Sequence, residues 1–203
     1  MIDQLLLEIA EDKHTNLTTT SDAFKRDLWK FFFEPKFSHK RVIEFGTHKG
    51  QTTRILSHLF EDVITVNVSE KHFDAAKLLN ADRTNIRYIG YDLYANPVQD
   101  RITEDVIDVF FIDAGHETYH IESDMARALY MNRADEVYFI FDDYGLHDPV
   151  FKVINAYVAA ELLSIVATIG HDAGHSFGGV PPRVLRRSEG VICRLNNDKI
   201  EYE

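Results

Sequence analysis

Asp113, His116, Asp142 and Asp143 are the residues of this sequence best placed to do chemistry together. Val109-Phe110-Phe111-Ile112 runs into Asp113-Ala114-Gly115-His116, and Val137-Tyr138-Phe139-Ile140-Phe141 runs into Asp142-Asp143-Tyr144. An unbroken run of bulky and β-branched residues that stops at carboxylates is the pattern of a parallel strand, buried on both faces, as it leaves the core. Ligands of open α/β sheets bind beyond the carboxyl ends of such strands. Two of these strands side by side bring three carboxylates together, and these repel unless a cation lies between them. Hard oxygen donors suit Mg²⁺ or Mn²⁺. His116, three residues past Asp113, stands at the rim of that cluster with a side chain suited to proton transfer. Each residue alone has an ordinary reading: Asp113 as a helix cap, Asp142 or Asp143 as a solvated turn residue, His116 as a helix-start residue. It is the repetition of the same ending on two strands that favours a site.

The elements that must position these residues follow from periodicity. Residues 2–12 and 21–33 read as amphipathic helices, the second capped by Ser21-Asp22 and carrying an apolar stripe of Phe24, Leu28, Phe31 and Phe32. The Phe31-Phe32-Phe33 cluster suits either a core contact or an interface in a homo-oligomer. After Pro35 strands and helices alternate: strands at 41–45, 63–68, 86–89, 107–112 and 136–141, with helices over 51–60, 70–80, 118–131 and 149–161. Residues 95–105 form a crossover of undetermined structure. Two further strands, 162–169 and 190–195, flank a polar segment rich in Gly and Pro. Alternation of this kind predicts an α/β, Rossmann-like, doubly wound and mostly parallel seven-stranded sheet with an antiparallel C-terminal edge strand. The whole of 1–203 reads as a single domain, with 1–36 as a helical extension, 40–165 as the core and 170–189 as a candidate lid.

The first strand runs into Glu44-Phe45-Gly46-Thr47-His48-Lys49-Gly50-Gln51-Thr52. Glycines permit a tight turn, and the following helix N-terminus offers free N–H groups to an anion. His48 occupies the place of the middle glycine of a dinucleotide fingerprint, which would crowd a pyrophosphate. Taken with its neighbours, this stretch resembles the class I S-adenosylmethionine-dependent methyltransferases, and within them the metal-dependent O-methyltransferases. Val42–Leu56 is similar to that family's first motif, Ile64–Val68 to its second strand, and Asp113 with Asp142-Asp143 to the metal triad of the catechol O-methyltransferases. Ile112-Asp113-Ala114-Gly115-His116 and Phe141-Asp142-Asp143-Tyr144-Gly145 are closer still to the bacterial macrolide-sugar O-methyltransferases, whose base is a histidine at this spacing. The resemblance spans roughly 40–165. It implies S-adenosylmethionine as cofactor, bound by Glu44, Gly46, Thr47, His48, Gly50, Thr52, Asn67, Val68, Glu70, Asp92 and Asp113, with Asp92 near the adenine. It implies Mg²⁺ (or Mn²⁺) on Asp113, Asp142 and Asp143, and His116 and Asp113 as catalytic residues. Asn67 departs from the acidic residue that usually meets the ribose, which removes a charge-assisted hydrogen bond; Glu70 is the nearest substitute.

Bulk properties restrict the partners. With 22 basic and 33 acidic residues among 203, the net charge of −11 disfavours a nucleic-acid phosphate backbone. A small-molecule acceptor is the expected partner. Cys193 is the only cysteine, which excludes an internal disulfide and fits a cytoplasmic setting. Met1–Ala10 lacks the basic start of a signal peptide, and no window approaches the roughly 20 apolar residues that span a bilayer. The expected activity is therefore Mg²⁺-dependent methyl transfer from S-adenosylmethionine to a hydroxyl of a sugar or phenolic natural product. A metal-dependent hydrolase or lyase, or a non-catalytic binding module, uses the same residues as an alternative. His171, Asp172 and His175 suggest a second metal site less strongly than a loop, and Arg183, Arg186 and Arg187 suit either an acceptor-binding edge or a solvated hinge. His120 reads as a surface residue or one beside the site.

Overall fold

The computed structural model describes residues 1–9, 20–68, 70–132, 134–171 and 188–199. Strands β1 (Arg41–Phe45), β2 (Asp62–Asn67), β3 (Ile86–Gly90), β4 (Val109–Ile112) and β5 (Tyr138–Phe141) pair in parallel. β6 (Leu163–His171) and β7 (Ser188–Leu195) complete a seven-stranded sheet in the order β3-β2-β1-β4-β5-β7-β6. β7 is antiparallel to both β5 and β6, so the antiparallel pair closes this side of the sheet, with β7 inserted and β6 outermost. The order reverses between β1 and β4, and the crevice at such a reversal is where ligands bind in open α/β sheets.

Side-chain alternation along the central strands feeds two cores. Ile43, Phe45, Phe110, Ile112, Phe139 and Phe141 face helices α5 (Thr118–Met131) and α6 (Asp148–Ala159). Val42, Val109, Phe111, Tyr138 and Ile140 face α1 (Ile2–Ile9), α2 (Asp22–Phe32) and α3 (Gln51–Leu59). Burial on both faces is why these strands read as continuous apolar runs rather than alternating ones. α2 forms where expected: Ser21 accepts the Phe24 N–H, and Phe24, Leu28 and Phe32 pack inward. The Phe31-Phe32-Phe33 run divides, with Phe32 buried, Phe31 partly buried and Phe33 exposed and stacked on Trp29.

One expectation shifts. The helix foreseen over 70–80 is a 3-10 turn, Glu70–Phe73, followed by a short α4 (Asp74–Leu79). Of the first helix, residues 10–12 lie outside the described residues, as do Asp172, His175, Arg183, Arg186, Arg187 and all but the ends of the proposed lid. The crossover after β3 carries no helix, and its shape comes from another element. Arg127 on α5 is fully buried, and its guanidinium donates to the carbonyls of Leu93, Asn96, Pro97 and Asp100 and to the Tyr91 hydroxyl, at 2.9–3.0 Å. No helix among the described residues is long and apolar enough to cross a membrane.

Candidate active site

β4 and β5 are adjacent and in register, Ile112 opposite Phe141, so the residues that follow them emerge together. Asp113, Asp142 and Asp143 each offer a carboxylate oxygen, and the three oxygens lie within 4.8 Å of one another. Asp142 is buried, and its Oδ1 has no hydrogen-bond partner. Burial, then the negative charges of Asp113, Asp143 and Glu189, hold its carboxyl well above the usual carboxylate range. Asp113, with 24% of its side chain exposed, is pushed up to about 6, chiefly by burial and further by Asp143, with His116 acting in the opposite sense. An orphaned buried oxygen among carboxylates that resist ionisation fits a hard dication, which relieves the repulsion and supplies the missing partner.

Asp143 has a left-handed backbone, φ 56°, which turns the chain sharply after β5. Asp143 C=O then accepts from the N–H groups of Leu146 and His147, which sets Asp143 and His147 one turn apart. His116 Nε2 lies 2.8 Å from Asp143 Oδ2 and 4.0 Å from Asp113 Oδ1. The 2.8 Å contact is an ion pair without hydrogen-bond alignment, since Nε2 has no hydrogen-bond partner. Asp113 and Asp143 together push the imidazole up to about 10 against the effect of burial, which keeps it protonated at neutral pH. His147 escaped sequence analysis. Its ring stacks on His116, with centroids 4.7 Å apart and planes 12° from parallel, and its Nε2 is 3.9 Å from Asp143 Oδ2. His116, Asp143 and His147 also bring ligand atoms within 4.8 Å. The lone pairs of two stacked rings lie in separate, nearly parallel planes, however, so the two imidazoles converge poorly on one ion. The three carboxylates are the better cradle.

Beside this cluster lies a small, partly open pocket lined by Glu44, Gly46, Thr47, His48, Thr52 and Asp113, all singled out in the sequence, and by Lys49 and Gln51, which were not. Glu44 is buried and pushed up to about 8 by that burial, against hydrogen bonds donated by the hydroxyls of Thr53 and Thr65 at 2.5 Å each. The glycines serve protein packing first. A Cβ on Gly46, φ 101°, would lie 2.0 Å from the Asp113 carbonyl oxygen, and one on Gly50 would lie 2.6 Å from Ala76 Cβ. Thr47 turns inward to Thr65 Oγ1 at 2.6 Å, and Thr52 Oγ1 is 3.0 Å from Thr20 Oγ1. Carboxyls whose ionisation lacks a compensating cation, beside a helix N-terminus, suit a ligand carrying both an ammonium and a carboxylate. The donors thus fit the amino-acid end of S-adenosylmethionine.

The other expected cofactor residues do not line this pocket: Gly50 caps α3, and Asn67, Val68, Glu70 and Asp92 lie at or just beyond the ends of β2 and β3. Asn67 ends β2 with its side-chain oxygen accepting the Val68 N–H; Val68 and Glu70 are exposed. Asp92 Oδ1 accepts the N–H groups of Tyr94 and Ala95 and so shapes a turn. His120 is in contact with the rings of Tyr94 and Tyr119, beside Gly115.

No family model matches the chain, and no curated protein matches it. Solved structures do. The O-methyltransferase TomG of Streptomyces achromogenes, involved in tomaymycin synthesis and solved with S-adenosylmethionine, superposes with a TM-score of 0.62 at 14% identity, over 96% of this chain and 88% of TomG. An O-methyltransferase of Bacillus cereus, solved with S-adenosylhomocysteine, gives 0.58 at 19% identity, over 96% and 89%. The tRNA (m1A58) methyltransferase TrmI of Aquifex aeolicus gives 0.60 at 15%, over 96% and 75%. Identities this low establish a common fold. Proteins with different acceptors share it equally well, so the acceptor has to be argued from the site.

Proposed function

We propose, from the premise that this chain has the class I S-adenosylmethionine-dependent methyltransferase fold, that it transfers a methyl group to a hydroxyl of a small molecule, a sugar or phenolic natural product, in a Mg²⁺-dependent reaction. The observation that carries this reading is the orphaned oxygen of Asp142 within the Asp113–Asp142–Asp143 cluster, next to a cavity suited to the cofactor's amino-acid end. When bound, S-adenosylmethionine supplies an electrophilic methyl group and Mg²⁺ supplies Lewis acidity that lowers the pKa of the acceptor hydroxyl.

The chain's own residues divide the remaining work. Asp113, Asp142 and Asp143 hold the ion, and the loop from Gly46 to Thr52 with Glu44 orients the amino-acid end. Asn67, Val68, Glu70 and Asp92, at the ends of β2 and beyond β3, border the expected path of the ribose and adenine. His116 accepts the hydroxyl proton. Its Nε2, 2.8 Å from Asp143 Oδ2, is where that proton would be received beside the ion that Asp113, Asp142 and Asp143 would hold. The net charge of −11 favours a small acceptor over RNA, and the buried, free Cys193 suits a cytoplasmic setting.

Calorimetric titration with S-adenosylhomocysteine, with and without Mg²⁺, tests the two halves separately. Binding in both conditions, with turnover of a catechol or sugar acceptor lost on chelation, is expected. Turnover that survives a chelator removes the metal role, and no binding of S-adenosylhomocysteine at millimolar concentration removes the cofactor.

A further inference from the structure

The last torsion of a histidine side chain has a broad, two-fold profile, so the backbone leaves the plane of the ring open. At His116 the neighbouring carboxylate does not close it either. Nε2 lies 2.8 Å from Asp143 Oδ2 but without hydrogen-bond alignment, and it makes no other hydrogen bond. A proton acceptor works along its in-plane lone pair, and small errors of placement slow a reaction steeply. Some further contact has to set the plane of this ring.

His147 makes that contact. Its ring lies against one face of His116, with centroids 4.7 Å apart and planes 12° from parallel. A flat neighbour so close admits only orientations nearly parallel to itself. The neighbour is in turn held from its backbone. Asp143 C=O accepts the His147 N–H at 2.9 Å, and between them Gly145 donates its N–H to Glu189 C=O at 2.9 Å. A Cβ on Gly145 would lie 1.7 Å from the Ser188 carbonyl oxygen, so the turn is pressed against β7. Asp148 and Pro149 then open α6, where the fixed φ of proline suits a first turn. One ring of the stack therefore comes from the loop after β4 and the other from a braced turn after β5.

We propose that His147 is a positioning residue, whose stacked ring fixes the plane of His116 and so the line along which Nε2 faces the Asp113–Asp142–Asp143 cluster. The role belongs to the flat face and not to a nitrogen, since His147 Nε2 stands 3.9 Å from Asp143 Oδ2, beyond hydrogen-bond distance. With 48% of its side chain exposed, His147 contributes little to the core, and its substitution leaves the fold in place.

This role rests on the reading of His116 as proton acceptor, and two measurements keep them apart. His147→Phe and His147→Leu remove the same nitrogens, so they differ in the flat face alone. The first measurement needs no turnover: it follows the Hε1–Cε1 resonance of His116 in the full chain, identified by its loss in His116→Gln. His147→Phe is expected to keep the ring-current shift of a parallel neighbour, and His147→Leu to lose it, moving the resonance downfield. The second is steady-state methylation of a catechol with S-adenosylmethionine and Mg²⁺. There His147→Leu should lower kcat about tenfold with the KM for S-adenosylmethionine unchanged, and His147→Phe should recover most of that loss. General damage to the fold would raise KM as well and would not be repaired by a hydrocarbon ring. Wild-type kcat in His147→Leu overturns the inference, and so does a His147→Phe as slow as His147→Leu, which would assign the role to a nitrogen. If the wild type methylates neither a catechol nor a sugar, the acceptor reading falls and the resonance decides. A His116 signal at the same place in the Phe and Leu variants overturns the positioning role, and one moved downfield only by Leu upholds it.

Discussion

At the scale of the residue, two carboxyls are held in a state they would not adopt in water. Asp142 is the clearer case. Its burial among Asp113, Asp143 and Glu189 means that the apo fold works against its own charge, so Asp142→Asn should keep or raise the melting temperature while lowering Mg²⁺-dependent turnover by about a hundredfold or more. Thermal melts and steady-state rates check both halves; a variant that is destabilised and still active would contradict the assignment. Glu44 gives a pH signature. Its carboxyl moves from 4.5 to about 8 on folding, so the folded chain binds this proton more tightly than the unfolded chain does. The resulting stabilisation is complete below about pH 4.5 and is lost as pH rises through about 8. Glu44→Gln should therefore flatten the decline in melting temperature between about pH 5 and 8.5, and an unaltered slope would show that Glu44 ionises without penalty. The carboxylate cluster was legible in the sequence because strand endings announce themselves. His147 was not, because a histidine in a polar turn looks ordinary until the turn is placed against its neighbours.

At the scale of the element, strand and helix positions were readable where apolar runs or amphipathic stripes were strong, as in β4, β5, α2 and α5. They were not readable where a single long-range contact decides the shape. The stretch from Tyr91 to Asp100 has no periodicity of its own, and its backbone carbonyls converge on one guanidinium borne by α5. Arg127→Met leaves four carbonyls without that donor, which should cost about 3–5 kcal/mol in urea denaturation. The loss is expected to be only partly recovered by Lys, whose ammonium lacks the planar fork that serves five acceptors at once. Because the same crossover follows the strand end where Asp92 shapes its turn, S-adenosylhomocysteine affinity should fall with it. A change confined to stability would place the adenine elsewhere.

At the scale of the whole molecule, ligand binding and folding are linked. S-adenosylhomocysteine at about 100 times its dissociation constant should stabilise the folded chain by about 2.7 kcal/mol, a shift of roughly 5–10 °C for a domain of this size. Differential scanning fluorimetry reads that shift, and its absence at saturating ligand would contradict the cofactor reading. The insertion of β7 has a different kind of consequence, one of timing. β5 hydrogen-bonds to β4 on one side, but its other edge is satisfied only by residues 191–194, about fifty positions later in the chain. Until Ser188–Leu195 has been synthesised and threaded between β5 and β6, the strand behind Asp142 presents an unpaired apolar edge, the kind of edge that recruits other chains. Such non-local pairing is slow, because a long loop must close before any of its contacts form. A nascent chain halted before residue 188 would thus lack both the buttress of β5 and Glu189, whose carboxylate accepts the Ser21 N–H at the start of α2. It would be prone to aggregation at the place where the finished protein keeps its most carefully balanced charges.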